Sequence, residues 1–242
     1  MLEVTDMELD VAFLPAGDPT DVAVVIDVLR MTTTAAALLA GGMRRLTIVA
    51  ETDAALAHAA SSGALLFGER MGLPYPGFDG GNSPVEHAKR DYGGRSAILC
   101  TTNGSKAVGL VAGARHVLLG AIVNAPAVAR LAARLASERV TLVCAGTDGE
   151  VSLDDVLGAG CIATEVARLG GFEPTDAARI AMAVAADRAG VGATLASARH
   201  AHTLSELGFA EDVEYAATLG SVGGVARLVG RAPFEFEAVT AS

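Results

Sequence analysis

The chain alternates short apolar runs with longer segments of helical periodicity. Val22–Asp27, Ser96–Thr102 and Val140–Ala145 are apolar along most of their length and rich in β-branched residues. Such runs are typical of parallel strands that are buried on both faces, because a half-exposed strand would alternate apolar with polar residues. Each run is followed by a polar turn and then by an apolar helical segment. This alternation predicts an α/β protein of three layers, α/β/α, built on a mostly parallel sheet.

The C-terminal third of the chain has a different pattern. From Thr175 onward it is largely helical, and two apolar runs near its end, Val225–Val229 and Phe234–Val239, predict a closing pair of strands. No segment has the composition of a linker, so we treat residues 1–242 as one domain. A weak boundary near residues 120–125 would divide that domain into two similar halves.

The composition limits the partners and the location. The net charge of −10 argues against a nucleic-acid partner, because binding to a phosphate backbone needs a basic face. No apolar run approaches the roughly 20 residues that a membrane span needs, and the N-terminus lacks a basic region followed by an apolar one. Cys100, Cys144 and Cys161 form no CxxC pair, and we interpret them as buried free thiols of a reducing compartment. We therefore expect a soluble cytoplasmic protein with no nucleic-acid and no membrane partner.

One segment, Gly68–Pro84, carries more chemistry than a connector needs. It reads GERMGLPYPGFDGGNSP and places two acids and an arginine among five glycines and three prolines; these are Glu69, Asp79 and Arg70. Charged residues at rigid backbone positions are typical of functional loops. The segment ends with the signature of a helix start, in which Ser83 is the N-cap of a capping box. The loop should therefore bring its charges next to free backbone N–H groups, where an anion would bind.

Three of the predicted strands end in polar turns that begin helices. These turns are Asp27 with Arg30 and the threonines after it, Thr101–Ser105, and Gly146–Glu150. In an open parallel sheet such ends lie along one edge, where α/β proteins bind their ligands. Because the Gly68–Pro84 loop also leaves a strand end, we expect all four polar clusters to meet in one crevice. The competing interpretation of each cluster is helix capping, for which Asp, Thr, Asn and Ser are well suited.

Other polar residues are weaker candidates. Four acids follow the third strand, namely Asp148, Glu150, Asp154 and Asp155. We expect at least one of them to be a helix N-cap and select none individually as a ligand-binding residue. We interpret all five histidines as structural or exposed, since none has metal-binding spacing and since His200 and His202 should point to different faces of a helix. Neither a serine-hydrolase triad nor a nucleotide-binding glycine loop is indicated.

Four motifs resemble those of one protein family. In chain order they are VVIDVLRMTTT, FGERMGLPYPGFDGGNSP, ILCTTNGSKAV and LVCAGTDGEVSLDDVLGAG, and they span roughly Val22 to Gly160. Together they closely resemble the 2-phosphosulfolactate phosphatase family, known as ComB. The resemblance implies a magnesium-dependent phosphatase that hydrolyses 2-phospho-3-sulfolactate to 3-sulfolactate and phosphate, a step of coenzyme M synthesis. Met31 departs from the family, which more often has a small residue at that place.

The chemistry of the quoted motifs agrees with this resemblance. Mg²⁺ takes one or two carboxylates and keeps waters, which makes Asp27, Glu69 and Asp79 the expected metal ligands. Arg30 and Arg70 would hold the phosphate and sulfonate groups, and these five residues together form the expected catalytic set. Further residues offer hydroxyl or N–H groups to the substrate: Thr33, Thr34, Asn82, Ser83, Thr102, Asn103, Gly104, Ser105 and Thr147.

Two other functions remain open from the sequence. The same crevice would suit a binding protein for small phosphorylated or sulfonated acids, without turnover. It would also suit a phosphatase that acts on another phosphorylated hydroxy acid. In every case the expected partner is a small anionic molecule, and the Ala-rich helical C-terminal third is compatible with a homodimer.

Overall fold

The computed structural model describes residues 6–16 and 21–240. Within these residues the chain forms eleven strands and ten α-helices. The strands are β1 (Met7–Ala12), β2 (Val22–Ile26), β3 (Arg45–Val49), β4 (Leu65–Arg70), β5 (Leu73–Pro74), β6 (Ser96–Cys100), β7 (His116–Gly120), β8 (Arg139–Cys144), β9 (Phe172–Pro174), β10 (Gly224–Arg231) and β11 (Phe234–Thr240). The helices are α1 (Met31–Ala40), α2 (Thr52–Ser62), α3 (Pro84–Ala88), α4 (Asn103–Val111), α5 (Ala125–Leu135), α6 (Leu153–Leu169), α7 (Asp176–Ala185), α8 (Val191–Ala196), α9 (Arg199–Glu206) and α10 (Ala210–Ala216).

All the strands belong to one sheet in the order β5-β4-β6-β3-β11-β10-β7-β2-β8-β1-β9. Strands β4, β6 and β3 are parallel to one another, and so are β7, β2, β8, β1 and β9. Strands β10 and β11 form the predicted closing pair, which is antiparallel. The pair does not lie at an edge, however, because β10 pairs with β7 and β11 pairs with β3. The hairpin therefore joins two parallel groups of strands into a single sheet.

Helices cover both faces of this sheet. Along β2, the side chains of Val22, Val24 and Ile26 face a core that includes residues of α5, α6 and α7. The intervening Ala23 and Val25 face a second core, formed with α1 and α4. The strand therefore buries both faces, as its uniformly apolar run predicts, and the three-layer α/β/α fold is confirmed. The division near residues 120–125 stays a prediction; a short buried 3-10 turn at Ile122–Asn124 joins β7 to α5 there.

The sheet is strongly curved around α1 and α4. Four strands separate β6 from β2 in the sheet order, so in a flat sheet their axes would lie roughly 24 Å apart. Gly104 follows the end of β6 by four residues, which span at most about 14 Å. Yet a Cβ atom placed on Gly104 would be 2.6 Å from Oδ2 of Asp27, which directly follows β2. The curvature therefore brings the carboxyl ends of distant strands together. No α-helix in the described ranges is long and apolar enough to cross a membrane.

Asp21 fastens the start of β2 to the chain that enters β8. Its carboxylate is 4% exposed and accepts hydrogen bonds from the N–H groups of Ser137, Glu138 and Arg139 at 2.7, 2.8 and 3.2 Å. Burial alone would raise the pKa of Asp21, but the hydrogen bonds from these N–H groups hold it below its ordinary value of 3.8. The ionised carboxylate is therefore the form that stabilises the fold.

Replacement of Asp21 by Asn should make stability less dependent on pH. Because the folded-state pKa is lowered, the contribution of Asp21 is complete above its ordinary pKa and is lost as the pH falls through the folded-state value. We expect Asp21→Asn to lose about 1–2 kcal/mol of unfolding free energy at pH 7 and progressively less below pH 4. Urea unfolding between pH 7 and pH 3 measures this, with the exposed Asp53→Asn as the control. Parallel pH curves for wild type and Asp21→Asn would contradict the expectation.

Candidate active site

A cavity of about 950 Å³ opens at the carboxyl ends of the parallel strands. Strands β2, β4, β6 and β8 lead into it, and the segments that follow them form most of its wall. Residues of α9 also line it, including His200 and Thr203. The expected crevice therefore exists, and the curvature of the sheet is what assembles it.

Asp27 lies at the end of β2 and faces the cavity while it remains 92% buried, with 8% of its surface exposed. Its Oδ1 accepts a hydrogen bond from the N–H of Met31 at 3.1 Å, so the residue also caps the first turn of α1. Burial raises the pKa of Asp27 to about 7, and the charges of Asp154 and Glu69 act in the same direction. The N–H groups of Met31 and Gly104 oppose this rise. The carboxylate therefore lies in a negative electrostatic environment that a cation would stabilise.

Two adjacent acids of α6 add to this negative environment. Both oxygens of Asp155 are engaged, since they accept hydrogen bonds from the N–H groups of Val28 and Gly146 at 2.9 Å each. Burial, together with the charges of Asp154 and Asp27, raises the pKa of Asp155 well above its ordinary value. Asp154 is 2% exposed and accepts a hydrogen bond from the hydroxyl of Ser152.

The N-cap of α6 is Ser152. The expectation that one of the four acids in this segment would be the N-cap is therefore wrong. Asp154 and Asp155 instead lie one and two residues inside the helix start, where the free N–H groups favour negative charge. Their position after a buried strand was a usable sequence signal, but capping explained it equally well.

Arg30 reaches the cavity from the turn between β2 and α1. Its Nη1 donates to Oδ2 of Asp212 at 2.8 Å, and its Nη2 donates to the carbonyl oxygen of Gly72 at 2.6 Å. The guanidinium carbon lies 4.4 Å from the ring centroid of Phe209, which is a cation–π distance. The arginine is therefore held from three sides and still lines the cavity.

Glu69 and Arg70 bring the predicted loop to the cavity wall. Oε2 of Glu69 accepts the N–H of Gly72 at 2.9 Å, which closes the tight turn between β4 and β5. Its Oε1 lies 3.5 Å from the hydroxyl of Thr102, at the start of α4. Nη2 of Arg70 donates to Thr52 at 3.0 Å and has no carboxylate partner among the hydrogen bonds of the described residues. Arg70 can therefore offer its charge to an anion.

Two buried polar atoms at the cavity have no partner within the part of the chain that the structure describes. They are Oδ1 of Asn82 and Oγ1 of Thr101, on residues that are only 4% and 3% exposed. Both residues line the cavity. An unpaired buried polar atom costs about 1–3 kcal/mol, so these positions favour a ligand with hydrogen-bonding groups.

Comparison with known proteins decides the family. The model of the 2-phosphosulpholactate phosphatase family matches residues 11–230. A probable 2-phosphosulfolactate phosphatase of Deinococcus radiodurans is 49% identical over 217 residues, which cover 89% of this chain and 90% of that relative. Proteins of the same name from Thermus thermophilus and Carboxydothermus hydrogenoformans are each 41% identical, cover 87% and 88% of this chain, and are themselves covered to 89% and 90%. The chain belongs to the 2-phosphosulfolactate phosphatase family. The resemblance seen in the four motifs is thus confirmed, and the matched region includes every residue of the cavity wall.

In this member of the 2-phosphosulfolactate phosphatase family, the cavity brings together most of the residues predicted for the site. They come from four segments that are far apart in sequence and meet only in the folded chain. Those that line the cavity are Asp27, Arg30, Glu69, Arg70, Asn82, Thr102, Asn103 and Thr147.

Asp79 is not brought to the cavity, although the sequence analysis groups it with Asp27 and Glu69 as a metal ligand. Its Oδ2 accepts the N–H of Leu66 at 2.8 Å, and its side chain borders a separate surface pocket beside Tyr92. The carboxylate therefore fastens the Gly68–Pro84 loop to β4. Asp79 is therefore not placed to bind a cation in the cavity.

Other residues predicted to bind substrate do not line the cavity and instead form hydrogen bonds to the segments that do or to their neighbours. The hydroxyls of Thr33 and Thr34 donate to the carbonyl oxygens of Val28 and Asn82 at 2.7 and 3.0 Å. Ser105 donates to the carbonyl oxygen of Thr101, and Ser83 donates to Asp212 at 2.6 Å. Gly104 has no side chain and lies against the Asp27 carboxylate. These residues are placed to shape the site, and none of them lines the cavity.

His200 departs from the expectation that every histidine is structural or exposed, because it lines the cavity on α9. The pKa of His200 lies below its ordinary value of 6.5, because burial and the charge of Arg30 outweigh the opposing charges of Asp154, Glu69 and Asp148. His202 is exposed on another face of the same helix, as their spacing predicts. No local pattern distinguishes His200 from the other histidines, so only the folded chain shows its place.

The donor set of the cavity fits Mg²⁺. Within residues 6–16 and 21–240, no three Asp, Glu, His or Cys side chains form a group that would hold a metal ion. Mg²⁺ does not need such a group, since it takes one or two carboxylates and keeps several of its waters. Asp27, Glu69 and Asp154 all line the cavity and offer oxygen ligands. Burial is the main cause of the raised pKa of Asp27, and the charges of Asp154 and Glu69 add to it, so a cation beside Asp27 would stabilise its ionised form.

Proposed function

We propose that this protein is a Mg²⁺-dependent phosphatase that hydrolyses 2-phospho-3-sulfolactate to 3-sulfolactate and phosphate. The proposal is supported by the name of the family and of the curated relatives. The observation that carries it is the pairing of opposite charges in one cavity, where Asp27 faces a negative environment while Arg30 and Arg70 offer cationic groups. A divalent cation would neutralise the negative environment of Asp27, and an anionic substrate would pair with the two arginines.

The residues of the cavity divide into two groups by charge. Arg30 and Arg70 would bind two strongly anionic groups of the substrate, the phosphate and the sulfonate. At the start of α4 the N–H of Gly104 bonds to Asp27, and the other N–H groups of that turn add donors without adding net charge. The hydroxyl of Thr101 would donate to an oxygen of the substrate, and Oδ1 of Asn82, which is an acceptor, would take a hydrogen bond from a bound water. Together these groups would orient the phosphate ester for attack by water.

The acids would hold the cation. We propose Asp27 as one ligand and, as the second, one of the two carboxylates whose charges act on it, Glu69 or Asp154. When bound, Mg²⁺ would neutralise charge on the phosphoryl oxygens as the ester bond breaks. The role in coenzyme M synthesis, the cytoplasmic location and the homodimer stay predictions.

Phosphate release from 2-phospho-3-sulfolactate tests this proposal. We expect turnover with Mg²⁺ and none after chelation with EDTA, and activity should return when Mg²⁺ is added again. Full activity in EDTA would contradict the metal dependence. A rate on this substrate no better than on a generic aryl phosphate would contradict the assigned substrate.

The same assay separates the two alternatives. A panel of other phosphorylated hydroxy acids shows whether another member of this class is the better substrate. Calorimetric binding of 3-sulfolactate, with no product from the phosphate ester after long incubation with Mg²⁺, would indicate a binding protein instead of an enzyme.

A further inference from the structure

Asp212 connects two segments of the cavity wall, although it does not line the cavity itself. It lies in the first turn of α10 and is 1% exposed. Its Oδ2 accepts a hydrogen bond from Nη1 of Arg30 at 2.8 Å. Its Oδ1 accepts from the hydroxyl of Ser83 at 2.6 Å and lies 3.4 Å from the N–H of Val85. One carboxylate thus joins the turn after β2 to the helix start that ends the Gly68–Pro84 loop.

The Arg30 guanidinium has little freedom to move. Asp212 and Gly72 each take one of its five N–H groups, and the Phe209 ring lies under its plane. Up to three N–H groups remain for other partners, and Arg30 itself lines the cavity. The two residues that hold it from the C-terminal part of the chain, Phe209 and Asp212, are adjacent to or within α10.

Both side chains of the Arg30–Asp212 ion pair are buried, in contrast to the ion pairs on the surface of the described residues. Its side chains are 3% and 2% exposed, whereas those of Arg45–Glu237 are 51% and 38% exposed and those of Arg199–Glu150 are 72% and 67% exposed. A buried ion pair is weak evidence for stability, because both charges lose their hydration and apolar side chains can often replace them without loss. Because stability alone does not account for such a pair, its position beside a charged cavity points to a functional role.

We propose that Asp212 is a positioning residue, which holds the Arg30 guanidinium so that its free N–H groups meet an anionic group of the substrate. The inference rests on the proposed function and deepens it. Asp212 acts through Arg30 and does not touch the substrate. By also accepting from Ser83, it sets the distance between Arg30 and the loop that carries Glu69 and Arg70.

Asp212→Asn tests the proposal. We expect kcat/KM for 2-phospho-3-sulfolactate to fall by about 10²-fold, because small displacements of a positioning group are costly. The Kd for inorganic phosphate, measured by calorimetry, should rise by about 10-fold. The matched control is Glu211→Gln, which removes an exposed carboxylate from the same helix turn and should change either value by less than about 2-fold.

A double-mutant cycle shows whether Asp212 acts through Arg30. In an Arg30→Ala background, Asp212→Asn should change kcat/KM by less than about 2-fold, because the group that it positions is gone. Additive losses would overturn the proposal. A folded Asp212→Asn protein with a lower Tm but wild-type kcat/KM would also overturn it, since a merely structural role predicts that result.

Two further measurements keep the outcome decisive. If Asp212→Asn does not fold, Phe209→Leu takes its place, since it loosens Arg30 with the ion pair intact and should lower kcat/KM by roughly 5-fold. If the wild type shows no turnover, only the proposed function fails. The Kd for inorganic phosphate then tests the positioning role of Asp212 by itself. Equal affinity of wild type and Asp212→Asn, or no phosphate binding by the wild type, would then overturn the positioning role.

Discussion

Asp27→Asn should lower phosphate release by about 10³-fold or more and leave the protein folded. The substitution keeps the shape of the side chain, and the amide oxygen can still accept the N–H of Met31. What it removes is the negative charge that the proposed cation needs. Because Asp27 is buried among the charges of Asp154 and Glu69, the neutral amide also relieves repulsion. The Tm should therefore stay level or rise while activity is lost, as is common at active sites.

Two measurements separate this result from simple misfolding. Added Mg²⁺ should raise the Tm of the wild type, because a ligand that binds only the folded state stabilises it, and should leave the Tm of Asp27→Asn unchanged. Asp53→Asn, an exposed acid in the first turn of α2, serves as the control and should behave like the wild type in both assays. Activity of Asp27→Asn within about 10-fold of the wild type would refute the role of this carboxylate.

Gly160→Ala should produce a large loss of stability, on the order of 3 kcal/mol. Helices α6 and α7 pack so closely at this point that a Cβ atom on Gly160 would lie 2.0 Å from the carbonyl oxygen of Ala181 and 2.9 Å from the Cβ of Ala185. Backbone atoms cannot move aside as a flexible side chain would, so the helices must separate. Alanine is intrinsically better than glycine in a helix by about 1 kcal/mol, and the clash outweighs this gain. Because α6 carries Asp154 and Asp155, a shift of the helix should also reduce activity.

Gly192→Ala is the matched control for this prediction. Gly192 lies within α8, and a Cβ atom there would have no neighbour within 4 Å. The same substitution should therefore stabilise the protein by up to about 1 kcal/mol. Denaturant unfolding measures both variants. A Gly160→Ala protein as stable as the wild type would show that α6 and α7 do not pack at the distance described.

The elements that depend on neighbouring residues could be predicted well. The apolar run of β2 buries both of its faces, and Ser83 accepts the N–H of Glu86 at 3.3 Å as an N-cap should. The carboxylate of Glu86, however, lies 3.4 Å from the N–H of Gly81, so it satisfies a donor in the loop. A hydrogen bond between residues three or four apart depends on the local backbone geometry. It can therefore be predicted from the residue types of one short segment.

The motifs were also sufficient for the family, because four long segments in one order rarely coincide by chance. By itself the sequence therefore determined the layer architecture, the strand ends that carry the chemistry, and the family. It also identified Asp27, Arg30, Glu69 and Arg70, which the structure brings to one cavity. It did not separate these from Asp79, because the sequence pattern of an acid in a glycine-rich loop is the same whether the side chain faces the cavity or holds the loop in place.

Only the tertiary structure decided how the site is completed. The β10–β11 hairpin enters the middle of the sheet, and the curvature of that sheet brings β6 close to β2 across four intervening strands. Arg30 and its partner Asp212 are 182 residues apart in sequence, and His200 reaches the cavity on a helix with no distinctive pattern. These contacts depend on the packing of whole elements and on sheet curvature, and neither can be read from the residue types of one segment.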